Sequence, residues 1–239
     1  MIHLLIRGRN CAEHIPLLFR SLNKQTYQNF REVVILDDPT DDSAAVVKGT
    51  AIGKPAREVN YMVTDRHNGA ALNLWKGMRM LKAEPEDIVA IVDAKDYLAP
   101  DSLMTVMSAY SSHPDTLCTY GSYVKLTKGR KTSVSQSYNK FSEVRSDLWH
   151  GSHLKTFKYK LWEHFPKEYL KDGDTWLEAG SDVALMFGLI EMAGLENCHH
   201  IKDVVYYWND NYSESVPKKL RRKMIKKVRL MPPLKKVEF

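Results

Sequence analysis

Two acidic clusters in this 239-residue chain have the residue types and spacing to do chemistry: Asp37-Asp38, and Asp93 with Asp96 three positions on. A carboxylate can accept hydrogen bonds from a ribose hydroxyl or a base N–H. Two held close together can bind a divalent cation that screens a diphosphate. The plainer reading of Asp37, Asp38 and the nearby Asp41 is that they cap a turn and the helix after it.

The elements around these acids decide where they sit. Residues 2–6 form a buried-strand pattern, and residues 12–24 follow at helical spacing with Ile15, Leu18, Phe19 and Leu22 on one face. Residues 32–36 are strand-like and end at Asp37-Asp38; residues 41–51 read as a helix. A third strand is expected at 58–63 and a helix over 69–81 opened by Asn68-Gly69. A fourth, almost wholly apolar strand covers 87–92 and ends at Asp93. A helix over 102–112 and a strand over 116–126 continue the alternation. Beyond a polar middle from 125 to 148 come an apolar segment at 154–165, a helix at 181–193 and a strand at 201–208. Alternating apolar strands and helices predict an α/β fold with a mainly parallel central sheet covered on both faces. Ligands bind such sheets at the carboxyl ends of the strands, which is where both acidic clusters fall. Arg7 and Arg9 stand in the loop after the first strand, where a guanidinium could pair with phosphate or stack on a base.

Composition narrows the options. Hydrophobic residues make up 44% and charged residues 27%, as in an ordinary globular chain. No apolar run reaches the ~20 residues of a membrane span, and residues 2–6 are too short for a signal peptide. Cys11, Cys118 and Cys198 are too few and too scattered for a disulfide framework or a zinc site, so a reducing, cytoplasmic setting is expected. His150 and His153, or His199-His200, lack a partner set for zinc. There is no Gly-x-Gly-x-x-Gly after the first strand, where Arg7-Gly8-Arg9-Asn10 stands, and no phosphate loop of the Walker type. The net charge of +6 is uneven: residues 216–239 hold ten Lys or Arg and one acid, Glu238, so the other 215 residues sum to −3. Over 217–236 the spacing of Leu220, Met224, Val228 and Met231 predicts a basic amphipathic helix. It could dock on the body through its apolar stripe, or lie peripherally on an anionic membrane. Without aromatic interleaving or a recognised module, nucleic acid is not the expected partner.

Four ordered segments of the first half carry a family resemblance: the opening strand through Asn10 with Ser21-Leu22-Asn23-Lys24-Gln25-Thr26-Tyr27, the turn Leu36-Asp37-Asp38-Pro39-Thr40-Asp41, the helix start Asn68-Gly69 through Asn73, and Ile91-Val92-Asp93-Ala94-Lys95-Asp96-Tyr97-Leu98. In the second half, Ser152-His153-Leu154-Lys155-Thr156-Phe157, Gly180-Ser181-Asp182 and Glu191-Met192-Ala193-Gly194 extend it. Together they resemble the family 2 glycosyltransferases of the GT-A fold, over about residues 1–212. The resemblance implies an inverting transfer of a sugar from a nucleoside-diphosphate donor, with UDP the expected nucleotide, to a hydroxyl of a glycan, glycolipid or protein-linked acceptor. It implies a donor half over 1–98 and an acceptor half over 99–212 of one domain, which leaves the basic amphipathic tail over 213–239 outside the match. Asp38 would meet the base and Asp93 the ribose or diphosphate, with Arg7, Arg9, Asn68, Gly69 and Lys95 also on the donor. Asp182 would be the catalytic base, and Lys155, Trp149 and Trp176 would face the acceptor.

Two positions depart from the family pattern. Lys95 replaces the acid that normally binds the metal. Its ammonium could take the cation's place at the diphosphate. Alternatively, Asp96 with Asp93, or with His153, could still hold Mn²⁺ or Mg²⁺. In a third case donor binding is degraded. Ser181 replaces the glutamate before Asp182, which removes a like charge that would raise the base's pKa. Both departures keep open a non-catalytic nucleotide-sugar-binding protein on the same fold.

Overall fold

Strand β1 (Ile2–Gly8) is apolar on both faces, and it lies in the middle of the sheet between β2 (Phe30–Leu36) and β4 (Ile88–Asp93), parallel to both. The computed structural model describes residues 1–52, 59–126, 131–133, 135–146, 149–209 and 216–239. Helix α1 (Ile15–Asn23) buries Ile15, Leu18, Phe19 and Leu22, the face expected from their spacing. Helix α2 (Ser43–Ile52) leads to the edge strand β3 (Val59–Val63), and α3 (Gly69–Met80) crosses back to β4. The short β5 (Tyr97–Leu98), α4 (Ser102–Ser112), β6 (Cys118–Lys125) and β7 (Lys131–Ser133) come next. The basic run at 128–130 lies outside the described residues. The segment at 154–165 divides into β8 (Lys155–Lys158) and α5 (Tyr159–Glu163). A small ribbon of β9 (Lys171–Asp172) and β10 (Thr175–Trp176) precedes α6 (Ser181–Ala193), β11 (Cys198–Trp208) and α7 (Lys218–Leu230).

The main sheet runs β3-β2-β1-β4-β8-β6-β11-β5, with β7 added to β6. The first four strands are parallel, and so are β6 and β11, but β8 is antiparallel to both its neighbours, β4 and β6. That reversal matters for the site. A strand parallel to β4 would begin at the far edge of the sheet, whereas antiparallel β8 begins beside the carboxyl end of β4, with Lys155 in register with Ile91. The two faces of the sheet close two apolar cores. One holds α1 and α4 with Leu4, Ile6, Val34 and Tyr206; the other holds α3, α5 and α6 with Leu5, Val33, Ile35 and Phe157. Period-two alternation along β1 and β2 sends neighbouring side chains to opposite cores.

Helix α7 docks on the second core through Met224 and Val228, 6% and 0% exposed, with Leu220, Ile225 and Met231 packed around them. Among the described residues, no helix is long and apolar enough to cross a membrane.

Candidate active site

Asp37 follows β2 and is nearly buried. Its carboxylate accepts the backbone N–H of Asn68 at 2.8 Å and of Gly69 at 3.1 Å, and its Oδ2 lies 2.7 Å from His67 Nδ1. Burial works to raise its pKa, but these bonds outweigh burial and hold the carboxyl below the usual range. Asp37 thereby clamps the turn in which Gly69 takes a left-handed φ of 77°. Asp38, also left-handed at φ 46°, donates its backbone N–H to Thr64 Oγ1 at 3.0 Å and turns its side chain to the rim. There its Oδ2 lies 3.3 Å from Nη2 of Arg9. The first acid of the turn is thus structural and the second faces solvent, a division of labour that nothing in the residue types distinguishes.

One sheet position further in, Arg7 and Asp93 are register partners on β1 and β4. Arg7 Nη2 lies 3.6 Å from Asp93 Oδ1 and its Nη1 donates to the carbonyl of Ala70 at 3.3 Å. Arg7 Nε is buried without a hydrogen-bond partner. Lys155, at the start of β8, is buried with its Nζ 3.7 Å from Asp182 Oδ2. Asp182 stands in the first turn of α6, just past Gly180, whose φ of 78° turns the chain into the helix. Its side chain is 43% exposed. Desolvation works to raise its pKa, but the charges of Lys155, Arg7 and Arg221 outweigh that and hold it below the usual carboxylate range. The helix N-terminus acts in the same direction. Arg221, on α7, was not expected at this site, and its long separation in sequence gave no signal.

Asp96 is 1% exposed, and both its oxygens are occupied: Oδ2 accepts from Tyr206 Oη at 2.7 Å and Oδ1 from the backbone N–H of Asn209 at 2.8 Å. Tyr206 Oη in turn accepts the backbone N–H of Asp93 at 3.1 Å, so Asp96 braces the Asp93 turn from beneath. Burial, aided by the Asp93 charge, raises the Asp96 pKa to about 7. Between pH 4 and 7 the folded state therefore holds a proton that the unfolded chain has released, and stability falls as pH rises through that window. Asp96→Asn, whose amide oxygen can still accept from Tyr206, should flatten this slope of up to about 1.4 kcal/mol per pH unit in urea titrations. His153 stacks on Tyr206 with ring centroids 4.4 Å apart. Burial and then the charges of Lys155, Arg7 and Lys95 push its pKa well below the usual histidine range; its Nδ1 is buried without a partner. Lys95 is half-buried, with its charge felt by His14, Asp96 and His153.

A divalent cation needs several oxygen or imidazole ligands converging within about 2.0–2.6 Å. Here the oxygens of Asp96 already accept hydrogen bonds, Asp93 Oδ1 faces Arg7, and the residue between the two acids in sequence is a lysine. Among the described residues, no three His, Cys, Asp or Glu gather as a metal site. Among the described residues, protein side chains alone do not complete a divalent-cation site.

Of the expected acceptor residues, Lys155 lies beside Asp182. Trp149 instead meets Phe187 edge-on with centroids 5.7 Å apart, and Trp176 packs near Trp75 at 6.3 Å under the ammonium groups of Lys167 and Lys171. His150 lies against Tyr138, and His200 Nε2 is 2.8 Å from Ser135 Oγ.

Comparison with known proteins agrees with this architecture. Over 95% of its length the chain superposes on the crystal structure of S. aureus TarS with a TM-score of 0.67 at 16% identity, covering 38% of that chain. The TarS 1–349 structure in complex with UDP-GlcNAc gives 0.66 at 18% identity, covering 93% of this chain and 65% of that one. The mannosyltransferase PcManGT from Pyrobaculum calidifontis, solved with GDP-Man and Mn²⁺, gives 0.61 at 22% identity over 93% and 59%. These likenesses establish the GT-A fold. In sequence, the chain is 25% identical over 197 residues to the uncharacterized protein y4gI of Sinorhizobium fredii, a match spanning 80% of this chain but only 20% of that protein. The sequence model described as Glycosyl transferase family 2 matches residues 6–170, and this chain belongs to that family.

Proposed function

We propose that the protein transfers a glycosyl group, with inversion, from a nucleoside-diphosphate sugar to an acceptor hydroxyl. The observation that carries this reading is the paired frame on one sheet edge. Arg7 and Asp93 are in register, Lys155 and Asp182 lie 3.7 Å apart, and the buried Arg7 Nε has its donor capacity unspent. A buried guanidinium N–H without a partner calls for an anionic acceptor of hydrogen bonds. The family assignment and the nucleotide sugars bound by the structural neighbours support the donor class.

In this reading Asp38 and Arg9 meet the base at the rim. Asn68 and Gly69 wall the donor, and Asp93 accepts from the ribose. Asp182 takes the proton of the acceptor hydroxyl as its oxygen attacks the anomeric carbon. The bond from that carbon to the diphosphate oxygen breaks, and the nucleoside diphosphate leaves with the electron pair. Arg7 and Lys95 supply the positive charge that the leaving diphosphate needs. A UDP-sugar is the first donor to test.

The test is release of nucleoside diphosphate from UDP-, GDP-, dTDP- and CDP-sugars, alongside calorimetric binding, each with Mn²⁺ and with EDTA. Binding and turnover should be indifferent to EDTA. Lys95→Ala should weaken nucleotide-sugar binding by about tenfold to a hundredfold, the scale of a lost charge-assisted hydrogen bond. A strict Mn²⁺ requirement in the native protein would remove Lys95 from this role. Binding without turnover would favour the non-catalytic reading that Ser181 motivates.

A further inference from the structure

Helix α7 uses only part of its charge on its own protein. Lys227 pairs with Asp172, Arg229 donates to the carbonyl of Arg145, and Lys236 beyond the helix pairs with Glu196. Lys219, Arg222, Lys223 and Lys226 are exposed and, among the described residues, form no hydrogen bond or ion pair. Their spacing, at i, i+3, i+4 and i+7, places them on one outward face, opposite the buried Met224 and Val228. Leu230 follows on the same face, one turn beyond Lys226, and is 76% exposed. The rest of the chain, residues 1–215, carries a net −3, so this face is a local cationic patch on a weakly acidic body.

The helix also borders the Asp182 site. Ile225 lies against Gly180, close enough that a methyl group there would be 3.3 Å from its Cγ1. Arg221, one turn earlier on that edge, contributes its charge at Asp182. One edge of α7 therefore touches the start of α6 while the adjoining face points outward.

We propose that α7 is a docking surface for an anionic lipid bilayer, and that it holds the Asp182 cleft against that bilayer to receive a membrane-anchored acceptor. The first half of the statement stands on α7 alone; the second rests on the glycosyltransferase reading above. Four unpaired cations beside an exposed leucine match a surface of acidic headgroups over hydrocarbon. A soluble polyanion would engage the cations but give Leu230 no apolar partner.

Flotation of the full chain with vesicles of phosphatidylcholine alone, and of phosphatidylcholine mixed with phosphatidylglycerol, tests this. The native protein should bind only the mixed vesicles, and less as salt rises. Joint substitution of Lys219→Glu, Arg222→Glu, Lys223→Glu and Lys226→Glu should lower the partition constant at least about tenfold, since each basic residue near the surface contributes appreciably. Calorimetric binding of the nucleotide sugar should be unchanged in that variant. Leu230→Ser should weaken flotation without altering its salt dependence. Equal flotation of the charge-reversed protein, or none of the native one, would overturn the proposal. So would binding of inorganic polyphosphate as tight as that of vesicles with Leu230→Ser having no effect, the behaviour of a nucleic-acid or polyanion surface. Native protein that floats but binds no nucleotide sugar would overturn the second half and leave the docking surface standing.

Discussion

Asp182→Asn should lower turnover by about a hundredfold to ten-thousandfold while nucleotide-sugar binding stays within about twofold of native. Asparagine keeps the volume at the start of α6 but cannot accept the acceptor's proton. Its effect should therefore appear in kcat and not in donor affinity. Lys155 supplies a second readout. With Lys155 3.7 Å away and Arg7 and Arg221 near, Asp182 ionises below the usual carboxylate range, so the acid limb of the pH–rate profile lies low. Lys155→Ala removes the largest of the opposing charges, the carboxyl pKa rises, and the acid limb moves to higher pH. A profile that does not move, or turnover retained in Asp182→Asn, would assign the base elsewhere.

The second large effect concerns stability. Glu191, on α6, is 1% exposed, and its carboxylate gathers distant parts of the chain. Arg145 binds it through Nε at 2.5 Å and Nη2 at 3.0 Å. The backbone N–H of Leu234 donates at 2.8 Å, and Tyr169 Oη at 3.4 Å. Arg145 also donates from Nη1 to the carbonyl of Val228 at 2.7 Å, which ties α7 to the same hub. Arg145→Ala would strand a buried carboxylate and should cost about 3–5 kcal/mol. For a chain of this size that lowers the melting temperature by roughly 10 °C. Arg145→Ala combined with Glu191→Gln should recover part of the loss, because the uncompensated charge is gone. Melting curves of the two single variants and the double variant decide it; a loss under about 1 kcal/mol in Arg145→Ala would mean that Glu191 is satisfied without it.

The elements that alternate with period two or 3.6 were legible from the chain, because burial of one face writes itself into local spacing. The placement of Asp93 and Asp38 at strand ends followed from the same patterns. The reversal of β8 was not legible: its four residues carry no mark of direction, yet the reversal brings Lys155 and His153 to the cleft. Asp96 reads in sequence as a twin of Asp93. Only its contact with Tyr206, 110 positions away, makes it a buried brace. Trp149 and Trp176 were expected at the acceptor for their aromatic faces; the fold sets Trp149 against Phe187 and Trp176 near Trp75 beneath Lys167 and Lys171, contacts that residue type alone did not foretell. The docking stripe of α7 was visible in its spacing, whereas Arg221 at Asp182 depends on how the helix lies across α6.

The two cores on either side of the sheet differ in when they can be completed. The core under α1 and α4 is furnished by residues 2–206. The other needs Met224 and Val228 of α7, and the Glu191 hub needs Leu234. As the chain leaves the ribosome, the side under α1 and α4 can fold while the side that holds Asp182 still exposes apolar surface on α6. Synthesis of α7 would then close this core and set Arg221 beside Asp182 in one event, so that the Asp182 site is finished only when the cationic surface is also in place.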